Sequence, residues 1–174
     1  MKRAINPTNR EIIMQESDFI VSKTDLKGRI TYANRIFMQI AGYSEFELLG
    51  VQHNIIRHPD MPRGVFRLLW SVIESGQECF AYVKNMAKNG DYYWVYANVT
   101  IDYDSKMNPI GYFSVRRKPS KQGVEAISPI YQEMMSIERQ AGARDAPDVS
   151  MQWLMDLLKS KNTTYAEFIH TLGQ

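Results

Sequence analysis

The stretch His53-Asn-Ile-Ile-Arg-His-Pro-Asp-Met-Pro62 holds the residues best suited to binding a ligand. Arg57 and His58 precede a predicted helix, of which Asp60 is the expected N-cap and Pro62 a first-turn residue. A helix N-terminus presents unpaired N–H groups and a partial positive charge, and an arginine adds a planar fork that matches phosphate or carboxylate. The stretch therefore predicts either a site for an anionic group or, equally well, a helix cap in which Arg57 pairs with Asp60.

Other patterns that carry chemistry are weak in this sequence. His53, His58 and Cys79 lack the paired spacing of a zinc site, so we expect no metal, although a haem held through a histidine stays an alternative. No Ser–His–Asp or paired-carboxylate arrangement is legible, and there is no P-loop or glycine-rich dinucleotide motif. Cys79 is expected to be a small buried hydrophobic residue. We therefore expect a binding protein that is not an enzyme.

Composition sets the protein class. The 174 residues allow one ordinary domain with an appendage, and 44% hydrophobic with 23% charged residues is typical of a globular chain. A net charge of +2 is too small to indicate nucleic-acid binding. The N-terminus does not resemble a signal peptide, and no apolar run reaches the length of a membrane span. We expect a cytoplasmic protein that reaches the inner membrane, if at all, through a partner.

The elements ahead of the ligand-binding stretch are short. Turn residues, capping boxes and apolar periodicity place them. In chain order we predict first a polar N-terminal segment over 1–18, with a helical turn around Glu11–Glu16, and then a hairpin over Phe19–Tyr32 that turns at Asp25–Gly28. Two helices follow. The first covers Ala33–Ala41 and is ended by Gly42, and the second starts at the Ser44–Glu47 capping box and stops at Gly50.

A longer helix and three strands follow the stretch. The predicted elements are a helix over Pro62–Glu74 and strands over Cys79–Ala87, Tyr92–Tyr103 and Ile110–Arg117. Asn89-Gly90 predicts a type I′ turn between the first two strands, since both residues tolerate positive φ. Strand alternation places Arg116 on the face of Ser114, which points it inward. The order predicts an α+β fold, a five-stranded antiparallel sheet with helices on one face that enclose a pocket.

The residues from Pro119 onward predict a helical C-terminal extension. We expect a helix over Val124–Arg139 that is interrupted near Ser128–Pro129, a linker over Gln140–Pro147, a helix over Met151–Lys159 and a last helix from the Thr164–Glu167 capping box. The apolar stripes of these helices either pack on the sheet or bind a partner or a second copy. We favour the interaction role, because such stripes must be buried.

Three motifs in this order resemble the signature of PAS domains over about residues 19–118. They are Asp25-Leu-Lys-Gly-Arg-Ile-Thr-Tyr-Ala-Asn34, Gly42-Tyr-Ser-x-x-Glu47-Leu-Leu-Gly50 and Lys88-Asn-Gly-Asp-x-Tyr-Trp94-Val. The resemblance implies a PAS fold for 19–118, with 1–18 as an N-terminal segment and 119–174 as a helical interaction segment.

Within that family, His53-Asn54-x-x-Arg57-His58-Pro59-Asp60-Met61-Pro62 with Val83-Lys84-Asn85 resembles energy-taxis sensors of the aerotaxis receptor type, and their stand-alone bacterial relative above all. The resemblance implies a non-covalent FAD whose redox state is relayed to a membrane chemoreceptor, and a homodimer. It assigns flavin binding to Arg57, His58, Asp60 and Asn85, and a pocket-facing position to Asn34, Trp70 and Arg116.

Two alternatives to FAD stay open. In one, the same pocket binds another small ligand or haem. In the other, the protein is a cofactor-free adaptor whose pocket is filled by its own bulky side chains, namely Phe80, Tyr82, Trp94, Tyr96 and Phe113. Where the aerotaxis type carries a Trp before Val-Lys-Asn, this chain has Cys79-Phe80-Ala81-Tyr82, and Phe80 or Tyr82 is expected to supply the aromatic wall.

Overall fold

The fold is built around one antiparallel sheet in a computed structural model that describes residues 5–172. The sheet has five strands in the order β2-β1-β5-β4-β3. The strands are β1 (Phe19–Asp25), β2 (Ile30–Ala33), β3 (Cys79–Met86), β4 (Tyr92–Tyr103) and β5 (Pro109–Arg117). The helices are α1 (Arg35–Ala41), α2 (Glu45–Leu48), α3 (Arg63–Glu74), α4 (Lys121–Ser160) and α5 (Tyr165–Thr171), with a 3-10 turn at His53–Ile56. The predicted α+β architecture is confirmed.

Capping and turn residues in the sequence determine where most of the helices begin and end. Asn34 caps α1 and Gly42, at φ 72°, ends it, while Ser44 and Glu47 form the predicted capping box of α2. The β3–β4 connection differs from the predicted type I′ turn. Gly90 has a φ of 93°, but Asn89 does not have positive φ, and the amide of Ala87 donates to the carbonyl of Asp91 at 2.8 Å. Such a three-residue loop with its glycine in the left-handed region is the second common hairpin solution.

The N-terminal segment is extended, so the predicted helical turn around Glu11–Glu16 is wrong. The amide of Ile12 donates to the carbonyl of Tyr92 at 2.7 Å, and the amide of Tyr92 donates to the carbonyl of Arg10 at 2.9 Å. Backbone pairing with the start of β4 thus satisfies donors that a single isolated helical turn would leave open.

Helix α4 consists of two helices that meet at a kink at Gly142. It runs through Pro129, with the Ser128 hydroxyl donating to the carbonyl of Val124 at 2.6 Å, and its one non-helical residue is Gly142, at φ 74°. The predicted interruption near Ser128–Pro129 is therefore wrong, whereas the break at Gly142 falls inside the predicted linker over Gln140–Pro147, which is shorter than predicted. The Thr164–Glu167 capping box of α5 is confirmed.

The C-terminal helices cover the outer face of the sheet at its β3 edge. The Tyr131 hydroxyl donates to the carbonyl of Tyr82 at 2.7 Å, and Tyr82 packs against Gly123, where no side chain would fit. His170 of α5 lies edge-on to Phe80 at 4.7 Å between ring centroids. Tyr131 and Ile169 are buried, so part of the apolar stripes of α4 and α5 packs within the chain, whereas Val149 and Met155 are exposed. The interaction role of these helices stays a prediction.

In residues 5–172, no helix combines the length and the hydropathy needed to cross a membrane.

Candidate functional site

A cavity of about 660 Å³ lies between the inner face of the sheet, α3 and the 3-10 turn. Its volume falls in the range that holds a small molecule or cofactor. The main lining residues from the sheet and the adjacent elements are Ser22, Thr24, His53, Asn54, Ile56, Arg57, Arg63, Phe66, Arg67, Leu69, Trp70, Val83, Asn85, Ala97, Val99, Tyr112, Ser114, Arg116 and Pro147. Apolar side chains such as Leu69, Val83 and Val99 share the wall with many polar and charged ones, a combination that suits a ligand with both apolar and polar parts.

Arg57 reaches the cavity from the turn before α3. One guanidinium nitrogen donates to the carbonyl of Met61 at 2.9 Å, and the guanidinium lies 5.4 Å from the ring centroid of Phe66. Its Nε is buried and has no hydrogen-bond partner in residues 5–172. The backbones of Arg57 and Asn85 form an isolated antiparallel bridge, which fixes both residues at one end of the cavity.

Asn85 is the polar residue of β3 that faces this cavity. It is buried, and its side-chain amide makes no hydrogen bond to another described residue. A buried amide without protein partners is costly unless a ligand or water satisfies it. Asn85 is therefore positioned to donate to and accept from a bound molecule.

The predicted cap of α3 is wrong. Pro62 occupies the N-cap position without a side-chain hydrogen bond, and Asp60, with a side chain 67% exposed, pairs instead with Lys84 at 3.0 Å. Neither does Asp60 pair with Arg57, and it does not line the cavity. The amide of Gly64 in the first turn donates to the carboxylate of Glu138 at 2.9 Å, so a side chain of α4 already supplies the anion at this helix N-terminus.

His58 lies behind the cavity wall and does not line the cavity. It is only 2% exposed, its Nδ1 accepts the amide hydrogen of Asp60 at 3.0 Å, and its ring meets Tyr92 edge-on at 6.1 Å. Burial, followed by the charge of Lys84, lowers the pKa of His58, which favours the neutral ring. His58 therefore shapes the turn that carries Arg57.

Asn34 does not face the cavity either. Its side-chain oxygen accepts from the amides of Val21 and Phe37, both at 3.0 Å, and its amide group donates to the carbonyl of Phe19 at 2.7 Å. The side chain joins β1 to the start of α1 and has an architectural role. A pocket-facing Asn34, which the family resemblance implied, is wrong.

Trp70 and Arg116 do line the cavity, as predicted. Trp70 is 37% exposed at the mouth and meets Tyr112 edge-on, with ring centroids 4.8 Å apart. Arg116 is 2% exposed at the deep end, with its guanidinium 4.7 Å from the ring centroid of Phe37. It donates to the hydroxyl of Ser22, and its Nε has no partner in residues 5–172.

His53 completes the deep end of the cavity, although it was not among the residues predicted to bind the flavin. Its Nε2 lies 3.3 Å from Nη1 of Arg116 and 3.2 Å from the hydroxyl of Ser22. Enclosure within the protein and then the charge of Arg116 lower the pKa of His53 to about 3, so the ring is neutral and accepts from Arg116. Ser22 was detectable, since a small polar residue at an inward strand position is unusual.

The aromatic wall expected from Phe80 or Tyr82 is absent from this cavity. Cys79, Val83 and Asn85 face inward on β3, and Phe80 and Tyr82 alternate outward against Tyr96. Cys79 is buried, and its burial raises the pKa of the thiol to about 12, as expected for an inert hydrophobic residue. The described residues hold no group of three His, Cys, Asp or Glu side chains that could bind a metal ion.

Known proteins share sequence and fold with this chain. The sequence profile described as the PAS fold matches residues 30–116, which is half of the chain. The chain is 38% identical over 128 residues to the aerotaxis receptor of Escherichia coli strain K12, covering 73% of this chain and 25% of that protein. It is 28% identical over 99 residues to the nitrogen fixation regulatory protein of Klebsiella pneumoniae, covering 57% of this chain and 19% of that protein.

A solved structure has the same fold. It comes from a study of a flavin analogue and the mechanism of a light-oxygen-voltage domain, and it superposes with a TM-score of 0.56 at 22% identity. The match covers 66% of this chain and 86% of that one. This likeness concerns the fold, whereas the similarity to the aerotaxis receptor extends to the sequence.

Proposed function

The chain belongs to the PAS family, and we propose that it is a redox sensor that binds FAD in the cavity under α3. The observation that carries the proposal is that Arg57, Asn85 and Arg116 line one cavity, where Asn85 and Arg116 are buried and Nε of both arginines has no hydrogen-bond partner among residues 5–172. The sequence similarity to the aerotaxis receptor supports this choice of ligand, because the resemblance to that receptor type implies FAD.

The cavity residues fit a flavin dinucleotide. Asn85 and Arg116 would face the polar edge of the isoalloxazine ring, and apolar side chains such as Val83, Val99 and Leu69 would enclose its faces. Arg57, with Arg63 and Arg67 at the mouth, would face the phosphates. When bound, a flavin supplies reversible exchange of electrons and protons.

The chain's own residues offer a route from the cavity to the outer surface. Asn85 and Arg116 stand on β3 and β5, and their sequence neighbours Lys84 and Arg117 point to the opposite face, where α4 and α5 lie. A change in the hydrogen bonds of Asn85 or Arg116 would bias how these strands meet the helices. Such a relay requires a ligand that interacts differently with two protein states.

We also propose that the output partner is a membrane chemoreceptor-type protein and that the chain forms a homodimer. The support is the shared sequence with the aerotaxis receptor, although this chain spans only 25% of that protein. We propose no catalytic role. Light scattering of the purified chain that gave the mass of a single copy would contradict the dimer.

A fluorescence titration of the ligand-free chain with FAD tests the proposed ligand. We expect saturation at one FAD per chain, with the flavin fluorescence changing on binding. A chain that takes up haem in place of FAD, through His53 at the cavity wall, would support the haem alternative. No uptake of either would favour the adaptor, but the five bulky residues assigned to fill its pocket do not line this cavity.

A further inference from the structure

One side of the cavity mouth is formed by a segment of α4, which we call the strap and define as residues 138–150. Three donors on the first turns of α3 face the strap, and each is bonded to it. Arg63 Nη1 donates to the carbonyl of Ala143 at 2.6 Å, the amide of Gly64 to Glu138 at 2.9 Å, and Arg67 Nε to Asp148 at 2.8 Å. Pro147 of the strap also lines the cavity.

The sequence of the strap makes these acceptors available. Pro147 has no N–H, so the carbonyl of Ala143, four residues earlier, has no intrahelical donor and is free to accept from Arg63. The non-helical backbone of Gly142 turns the chain just before this point. Ser150, which is fully buried, donates to Glu138 at 2.6 Å and holds that carboxylate toward α3.

The three bonded donors are also those that an anionic ligand group would use. Two are arginines that line the cavity, and the third is an amide at a helix N-terminus. A separate observation shows that the cavity is suited to a polar or anionic ligand: Arg116 at its deep end is 2% exposed, has no acidic partner among the described residues and keeps an unpartnered Nε.

We propose that the strap and an anionic group of the ligand compete for Arg63, Gly64 and Arg67, so that ligand binding loosens the second half of α4. With the flavin of the proposed function, on which this inference rests for its natural ligand, the competing group is the diphosphate. Occupancy of the cavity then changes how α4 and α5 cover the sheet edge, which converts binding into a change at the surface.

Hydrogen exchange of residues 143–160 in the full chain tests the competition with three probes. FAD and inorganic pyrophosphate are expected to speed exchange of these amides by about tenfold, since they remove charge-assisted contacts, whereas riboflavin, which has no phosphate, leaves the rate unchanged. Unchanged or slower exchange with FAD, or equal effects of FAD and riboflavin, would overturn the inference. If no flavin binds, the proposed function fails, and the pyrophosphate arm alone decides the inference.

Charge-neutral variants give an independent test. In the doubly substituted chain Glu138→Gln, Asp148→Asn, the strap keeps its acceptor oxygens but loses two charges, and we expect FAD or pyrophosphate to bind about tenfold more tightly. The matched control is Glu133→Gln, Asp156→Asn, which changes net charge equally on exposed positions of the same helix. Equal affinity of the two doubly substituted chains would rule out the competition.

Discussion

Arg116 is the residue on which the proposed site depends most. It is a buried cation whose neighbours, Ser22, His53 and the ring of Phe37, carry no negative charge. Burial lowers its pKa to about 10, so it stays charged near neutral pH. An unpaired buried charge costs stability, and a residue that bears this cost at the end of a cavity is a candidate for binding.

Substituting Arg116→Met tests this role at the level of one side chain. We expect FAD affinity to fall at least about tenfold because a charged donor is lost, while the free energy of unfolding stays within about 1 kcal/mol because a buried charge is removed as well. Flavin fluorescence and urea denaturation measure the two quantities. Arg117→Met, on the outer face over Tyr96, is the control, and equal losses of affinity in both variants would contradict the assignment.

The neutral state of His53 predicts a dependence of stability on pH. Its pKa falls from 6.5 to about 3 in the folded chain, so between these values the unfolded chain binds a proton that the folded chain does not. The free energy of unfolding therefore decreases as pH falls through this window, by up to about 1.4 kcal/mol per pH unit from this group.

Urea denaturation of His53→Gln between about pH 7 and about pH 4 measures this contribution. We expect a shallower loss of stability than in the unsubstituted chain. The exposed His170 on the outer face gives the control, His170→Gln. A slope that His53→Gln leaves unchanged would show that His53 is protonated in the folded chain.

Single side chains were predicted where one local rule decides their position. Strand alternation was enough for Arg116, and it places Ser22 on the same face of the sheet. Asn34 was predicted wrongly because its side-chain oxygen accepts two hydrogen bonds, from α1 and β1, and its amide group donates to β1, which turns the side chain away from the cavity. The contact of His53 with Ser22 joins residues 31 positions apart, and no local pattern in the sequence predicts it.

At the scale of elements, the packing of α4 on α3 depends on Gly64. A Cβ at this position would lie 2.7 Å from the amide N of Met151 and closer still to the Ser150 hydroxyl. Gly64 is in a helix, where Ala has the higher intrinsic propensity. For Gly64→Ala, helix propensity therefore predicts a higher free energy of unfolding, whereas packing predicts a lower one.

We expect Gly64→Ala to lower the free energy of unfolding by about 2 kcal/mol, since overpacking against a backbone atom outweighs the gain in helix propensity. Ser71→Ala, at an exposed position of the same helix, is expected to change it by less than about 0.5 kcal/mol. Urea denaturation followed by circular dichroism measures both. A Gly64→Ala chain more stable than the unsubstituted one would show that α4 is not held against α3.

Elements with strong local signals were predicted well, and those settled by long-range contacts were not. The capping boxes at Ser44 and Thr164 and the stop at Gly42 are confirmed because each is a local hydrogen-bonding or φ requirement. The predicted linker over 140–147 is reduced to a kink at Gly142, and contacts from Arg63, Gly64 and Arg67 of α3 hold the helical residues around it. Composition alone could not reveal those contacts.

At the scale of the whole molecule, one sheet separates two environments. Its inner face and α3 enclose the cavity, and its outer face and β3 edge are covered by the C-terminal helices. The five antiparallel strands and the helical layer followed from the pattern of strands and turns, whereas the position of β1 beside β5 and the wrapping of α4 from the outer face to α3 did not. That wrapping places the strap at the cavity mouth, beside the arginines that line the cavity.

The central claim is that this cavity holds FAD, and the visible absorption spectrum of the freshly purified chain tests it most directly. We expect the spectrum of an oxidised flavin, and chromatography of the supernatant after heating should identify the released molecule as FAD. A colourless chain after expression with excess riboflavin, with no flavin released, would contradict the claim while leaving the PAS fold unaffected.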